Sequence, residues 1–338
     1  MMQFWFRHSR SAARSVAGVF AASTWQRREN SACNESYRSP AFVARERESP
    51  HASTGCSPRN GDTFACSELG YIAYLQFGWL YPAFPKKKLE LIKAFGEGVQ
   101  LRGGERGDIV VTTYPKCGTT WMQQILLLLL ADGDKQKIKN WFQNDEQKFS
   151  PWIEQQFDSI SAVNSCDPPP GFARRILKTH AAAEQAPWRG GPTSAGIPSG
   201  AKVIVVTRNP GDAAVFMFHH STSKSYPLPG PPFEYTGTLS HFVSELWLKG
   251  NVESGDFWAW HASWLRSQKE LPDDRFLIVN FEDMNADLSL AVRTVATFCN
   301  IPHDDALVER VVHASSFKEM KIQFEQQIEE NKAMGKKI

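Results

Sequence analysis

Hydrophobic positions along the chain gather in short blocks separated by polar turns. Four runs rich in Val, Ile and Leu, at Asp108–Thr113, Arg174–Thr179, Lys202–Thr207 and Arg275–Asn280, are mostly too apolar for strands with one wet face. They predict parallel strands covered on both sides. Helical spacing marks Thr119–Ala131, Asp212–His220, Phe257–Glu270 and Leu288–Cys299, with Asp212 in the N-cap position. Upstream, "PKKKLELIKAFGEGVQL" reads as an amphipathic helix ended by glycines, so ordered structure is expected from near Phe84. The Gly/Pro-rich stretches 186–200 and 227–237 read as loops. There is no internal repeat. The alternation predicts an α/β fold: a single domain with a central, mostly parallel sheet flanked by helices.

In such a sheet, ligands bind beyond the carboxyl ends of the strands. The first predicted strand runs into Tyr114-Pro115-Lys116-Cys117-Gly118-Thr119-Thr120, the second into His180, the third into Arg208-Asn209-Pro210 and the fourth into Phe281-Glu282-Asp283. An ammonium, an imidazole and a guanidinium would then converge beside a helix start. That combination describes an anion site with a base next to it. The first loop is P-loop-like but is not GxxxxGK[ST], because Lys116 precedes Gly118. Amides of Gly118, Thr119 and Thr120 at a helix N-terminus would receive a phosphate-like group. An ordinary strand–turn–helix corner with a threonine cap would carry the same residues. His180 has Lys178 two residues back on the same side of the strand and could act as a general base. Arg208 ends an apolar strand and needs a partner, either Asp212 or a ligand phosphate.

Composition changes this picture little. Hydrophobic content of 42%, charged content of 22% and a net charge of +2 are ordinary and give no reason to expect nucleic-acid binding. Eleven Trp and 22 Phe suit aromatic pockets as well as aromatic core packing. The six cysteines form no CxxC pair and read as free thiols, no metal-ligand spacing occurs, and His219-His220 reads as a solvated helix edge. The first thirty residues carry five arginines and no acid before Glu29, which fits an organellar transit peptide or a disordered tail. Residues 1–65 are therefore set apart from a domain over 66–338. The apolar runs at 15–25 and 69–84 are too short or interrupted to span a bilayer, so a cytoplasmic location, or an organellar one after targeting, is expected.

Six separate segments now combine. "TYPKCGTTWMQQIL", "LKTH", "VTRNPGDAAVFMFHH", "SGDFWAWHASW", "VNFEDM" and "HASSFKEMK" resemble, in order and spacing, motifs of the cytosolic-type sulfotransferases. The resemblance covers roughly residues 84 to 321. It implies a co-substrate, 3′-phosphoadenosine 5′-phosphosulfate (PAPS), with the 5′-phosphosulfate on Lys116, Cys117, Gly118, Thr119 and Thr120. It further implies Trp121 stacked on the adenine, with Phe317 on its other face and Ser315 close by, and Arg208 on the 3′-phosphate. His180 would take the acceptor's proton, with Lys178 beside the transferred group. The implied acceptor is a small alcohol, phenol or amine, without a metal. An oligomer is compatible with the resemblance.

The chain departs from the family pattern at four places. Cys117 replaces a serine, which adds a thiol that could be redox-sensitive. Phe216 stands where a 3′-phosphate serine is usual, and Phe281 replaces a tyrosine that touches adenine. The family's RKGxxGDW segment does not follow "FKEMK", so the domain reads as C-terminally truncated. Three other functions fit parts of the sequence: a P-loop kinase with Asp283 on magnesium, a thiol enzyme using Cys117, and a nucleotide-binding relic of the family.

Overall fold

A computed structural model describes residues 63–66, 71–76, 79–81, 86–139, 141, 149–222, 237–250, 252 and 255–333. The transit-like segment and most of the 227–237 loop lie outside these. The chain gathers into two compact units, one of Met1–Lys86 with Pro210–Phe257, the other of Lys87–Asn209 with Trp258–Ile338.

In the first unit, β1 (Thr63–Cys66), β2 (Tyr71–Gln76) and β3 (Trp79–Tyr81) form an antiparallel sheet in that order. Two of these strands occupy the interrupted apolar run 69–84. Structure therefore begins before Phe84, because aromatic-rich YIAYLQ and WLY suit a pleated backbone. Beyond α1 (Lys86–Gly98) and three strands of the second unit, the first unit takes up α5 (Pro210–Thr222) and a short helix, Leu239–His241, that runs into a π-helical stretch at Phe242–Trp247. Helix α5 starts at Pro210, so Asp212 lies in its first turn rather than at the cap; proline's fixed φ suits the first helical position. His219 and His220 are half-buried rather than solvated, with His219 beside Phe218 at 5.3 Å between ring centroids.

The second unit holds the parallel sheet. Its strands are β4 (Ile109–Thr113), β5 (Ile176–Thr179), β6 (Lys202–Thr207) and β7 (Phe276–Asn280), in the order β5-β4-β6-β7 and all parallel. The chain moves from β4 to one side to form β5, then to the other to form β6. The switch point thus falls at the carboxyl end of β4, where open α/β sheets bind ligands. Helix α2 (Thr119–Leu130) leaves that end and is buried almost all round, as its leucine run requires. The short helices α3 (Ile153–Gln156) and α4 (Ile160–Ser165) precede β5. Beyond the first unit's insertion come α6 (Phe257–Gln268), α7 (Phe281–Ala286), α8 (Leu288–Phe298), α9 (Asp305–Ser315) and α10 (Phe317–Ala333), with α8 and α9 packed on α2.

At the amino end of the sheet, three buried charges lock β4 to β5. Arg175 donates to both oxygens of Asp108, at 2.8 and 2.6 Å, and the Arg102 amide adds a bond of 2.7 Å to the same carboxylate. Arg174 donates to the carbonyls of Gly107, Cys299 and Gly200 at 2.6, 2.5 and 3.0 Å. These arginines begin the predicted strand but point into paired, structural positions.

Candidate active site

The loop between β4 and α2 turns through two left-handed residues, Lys116 at φ 70° and Gly118 at φ 108°. Glycine is required at 118, since a Cβ there would stand 2.9 Å from the Phe281 ring. For Lys116, the left-handed region costs about 1–2 kcal/mol, which is strain held at the loop's centre. Successive amides in such a turn, continued by the unpartnered first turn of a helix, form a concave set of donors for an anion. Thr119 opens the helix with its hydroxyl 2.5 Å from that of Thr113, and Thr120 follows, half-buried.

Thr113 also connects this loop to His180. The His180 Nδ1 lies 2.9 Å from the Thr113 carbonyl and 3.3 Å from its hydroxyl. A carbonyl only accepts, so Nδ1 carries a proton, and in the neutral ring the lone pair is then on Nε2. This is the tautomer a general base needs. Trp152 stands edge-on to the imidazole at 4.9 Å, and the Lys178 ammonium lies over the Trp152 ring at 5.4 Å. Behind the histidine, the Trp260 indole donates to the carbonyls of His180 and Ala181, both at 3.0 Å.

Beneath His180 lies a residue that no sequence pattern had marked. Glu154 on α3 is 1% exposed, and its Oε1 accepts from the Thr179 hydroxyl and from the His180 amide, the latter at 3.2 Å. Its Oε2 has no hydrogen-bond partner among the described residues. Burial pushes this carboxyl up to about 7, against the lowering effect of bonds from Thr179 and nearby backbone amides.

On the other side of the loop, Arg208 at the tip of β6 is buried and donates to the Lys116 carbonyl at 2.9 Å. Its guanidinium covers the Phe281 ring at 4.2 Å, a cation–π contact. The tips of β4, β5 and β6 therefore bring Lys116, His180 and Arg208 around one loop, as the strand pattern predicts.

Several side chains named by the resemblance are packed against one another in this structure. The rings of Trp121 and Phe317 are in contact, with centroids 4.3 Å apart. A base between two rings needs roughly 7 Å, twice the ~3.5 Å of close carbon contact. The two rings bury each other, and Trp121 also meets Phe281 at 5.2 Å. Ser315 does not offer its hydroxyl. That group is buried and donates to the Val311 carbonyl at 2.7 Å, while the Ser315 carbonyl takes the Trp121 indole proton at 2.8 Å. The idea of a redox-sensitive Cys117 fails. Its side chain is fully buried, its thiol faces the Pro115 carbonyl at 3.9 Å, and burial pushes its pKa far up. Phe216 is half-buried on α5.

Asp283, the magnesium candidate, is exposed in the first turn of α7, and no group of three potential metal ligands occurs among the described residues. Among these residues, too, no helix is long and apolar enough to cross a membrane.

Comparison with known proteins bears on the family and the fold. The sulfotransferase-domain family profile matches residues 106–337. Mouse sulfotransferase 2B1 is 33% identical over 216 residues, covering 63% of this chain and 56% of that protein. The chain thus spans little more than half the length of this relative. Among solved structures, mouse SULT7A1 complexed with PAP has a TM-score of 0.53 at 24% identity, covering 74% of this chain and 76% of that one. Retinol dehydratase with androsterone and inactive cofactor PAP has a TM-score of 0.57 at 16% identity, with 78% and 76% covered. These structural likenesses are likenesses of fold. The profile spans well over half the sequence, so the chain belongs to the sulfotransferase-domain family.

Proposed function

We propose that this chain transfers a sulfuryl group from PAPS to a hydroxyl or amine of a small molecule. The observation that carries the reading is the tether between base and anion loop. His180 Nδ1 bonds the Thr113 carbonyl at 2.9 Å while the Thr113 hydroxyl bonds Thr119 at the start of α2. A general base and a set of phosphate-type donors are thereby held in fixed register. The names of structural relatives support the donor and acceptor classes, since two are complexes with PAP and one also holds androsterone.

The residues fit the phosphosulfate half of the co-substrate. Lys116, Gly118, Thr119 and Thr120 would hold it through the strained loop and helix start, and Arg208 would meet the 3′-phosphate. When bound, PAPS supplies the sulfuryl group and a phosphate leaving group. His180 takes the acceptor's proton on Nε2 as the acceptor oxygen or nitrogen bonds to sulfur. Lys116 and the helix-start amides offset the charge left on the departing phosphate oxygen, each such donor contributing about 3–4 kcal/mol in comparable sites. Fixed cations serve here where a kinase would use magnesium. Lys178 stands beside the base, and Trp152 forms one wall next to it.

The Trp121–Phe317 contact would have to open for an adenine to enter between the rings, at a cost in affinity. This favours a second reading, a family member that binds the nucleotide weakly and turns over little. Calorimetric titration with adenosine 3′,5′-bisphosphate (PAP), alongside sulfation of a phenol and a sterol panel, separates the two. The enzyme reading expects PAP binding that Lys116→Ala weakens at least tenfold, with His180→Ala losing at least 100-fold in turnover while keeping PAP affinity. Binding without any sulfation supports the second reading. PAP affinity indifferent to Lys116→Ala overturns both.

A further inference from the structure

We infer that Glu154 is a positioning residue for His180, one buried carboxyl oxygen fixing the backbone from which the imidazole is presented. The inference rests on the proposed role of His180 as base, but its structural half can be tested without any reaction. Glu154 belongs to a four-residue helix reached through Pro151 and Trp152, which pair along the outer edge of β5: the Lys178 amide donates to the Pro151 carbonyl at 2.9 Å, and Trp152 bridges Lys178 in parallel register. That attachment delivers the carboxyl beneath residues 179 to 181. There Oε1 takes the His180 amide at 3.2 Å and the Thr179 hydroxyl, while Thr179 accepts the Ala181 amide at 3.0 Å. Three consecutive residues at the strand tip are thereby pinned by a single oxygen and the hydroxyl it holds.

The arrangement is costly as a fold element. A buried carboxyl with one oxygen unbonded is unfavourable whether ionised or protonated, and an apolar side chain of similar size would avoid that cost. The gain lies in the histidine's geometry. Nδ1 must reach the Thr113 carbonyl for Nε2 to keep its lone pair, and a displacement of about 1 Å at a reacting group can cost roughly a hundredfold in rate. Glu154 fixes the ring's point of attachment, Trp152 edges its flank, and the Thr113 carbonyl sets its tautomer. Partners that orient metal-bound histidines change activity by about 10–100-fold when replaced, and a similar range is expected for an oriented base.

The test uses the full chain and Glu154→Met, which keeps the volume and removes the acceptor. Expected are a 10- to 100-fold fall in kcat, with the KM for PAPS and the affinity for PAP within twofold of the parent. Glu154→Gln retains a carbonyl acceptor and should restore most of that loss. Nitrogen NMR of histidine-labelled protein, with His180→Ala to assign the signal, should show the Nδ1-protonated tautomer in the parent and a mixture in Glu154→Met. A folded Glu154→Met with parental kcat and an unmixed His180 tautomer overturns the inference. Parent protein that holds the tautomer but sulfates nothing defeats the proposed function and leaves the positioning role standing. Should Glu154→Met fail to fold, Thr179→Val removes the bridging hydroxyl. It should mix the tautomer and lower kcat severalfold, and an unmixed tautomer with parental kcat would overturn the inference equally.

Discussion

The two ends of the parallel sheet treat buried charge in opposite ways. At the amino end, both oxygens of Asp108 are bonded, to the Arg175 fork and to the Arg102 amide, and Arg174 satisfies three carbonyls. At the carboxyl end, Glu154 bonds through one oxygen only among the described residues, Lys116 sits in the left-handed region, and Arg208 meets a carbonyl and a ring face. The first arrangement fastens strands together. The second keeps donors and strain at one loop, where a ligand could use them. The same residue type, arginine, therefore has different work on β5 and on β6.

Breaking each arginine separates the two roles. Arg175→Met leaves the Asp108 carboxylate buried without its fork and should cost about 3–5 kcal/mol in urea unfolding, with any surviving native protein binding PAP normally. Arg208→Met replaces a carbonyl bond and a ring contact with apolar packing. It should cost about 1–3 kcal/mol, less than Arg175→Met, yet weaken PAP binding at least tenfold. Equal stability losses at the two positions would end the distinction.

The carboxyls sharpen it next. Burial holds Glu154 at about 7, against an ordinary value of 4.5. Below 4.5 both folded and unfolded chains keep this proton, so the group adds no cost. Between 4.5 and about 7 the unfolded chain releases it while the folded chain retains it, and stability falls as pH rises. Above about 7 the full cost is present, about 3 kcal/mol for a displacement of this size. Glu154→Gln cannot titrate. The stability of the parent relative to this variant, from urea unfolding at about pH 4.5 to 8, should therefore decline by about 3 kcal/mol; a flat difference would mean that the carboxyl is not held neutral.

Much of the carboxyl end was legible in the sequence, and the reasons are specific. The Val/Ile runs located all four parallel strands to within two residues, because doubly covered strands tolerate little else. The residues immediately past the strand ends then pointed to Lys116, His180 and Arg208. Glu154 stayed hidden because a four-residue helix has no period to read and "PWIEQQ" gives no sign that its glutamate is buried. The Trp121–Phe317 contact joins residues far apart in the chain, so a family likeness could supply both rings without showing that they touch. The antiparallel strands at 63–81 were read only as an interrupted apolar run, since short strands leave little alternation to count.

Two glycines extend the comparison at a smaller scale. Gly118 and Gly171 both have left-handed φ, 108° and 85°, but Gly171, in the turn before β5, has open space where a Cβ would point. At Gly118 the added carbon meets Phe281 at 2.9 Å and Val206 at 3.4 Å, and Phe281 is held between Arg208 and Trp121. Gly171→Ala should cost about 1 kcal/mol, the backbone penalty alone, with PAP affinity unchanged. Gly118→Ala should cost about 2 kcal/mol or somewhat more and weaken PAP binding. If the two variants behave alike, the close approach of loop and ring has no energetic consequence.

The smallest effect concerns the thiols, where two tendencies compete at the carboxyl end. A cysteine at a helix start beside cationic residues ordinarily has a lowered pKa, as the amides and positive charge favour thiolate. Cys117 has that setting, and Arg208 does act to lower its pKa, but complete burial outweighs it and the pKa rises. Cys299, whose carbonyl accepts from Arg174 at the amino end, is likewise pushed up to about 12 by burial, with Arg174 and Lys202 opposing. Burial also raises Cys166, although that side chain is only half-buried and keeps contact with solvent. Desolvation therefore overrides local charge at both ends of the sheet. Alkylation of native protein, followed by peptide-resolved mass spectrometry, should label Cys166 while Cys117 and Cys299 react only after denaturation. Rapid native labelling of Cys117 would mean that the loop opens to solvent, and the packed geometry of the β4–α2 loop would then describe only one of its states.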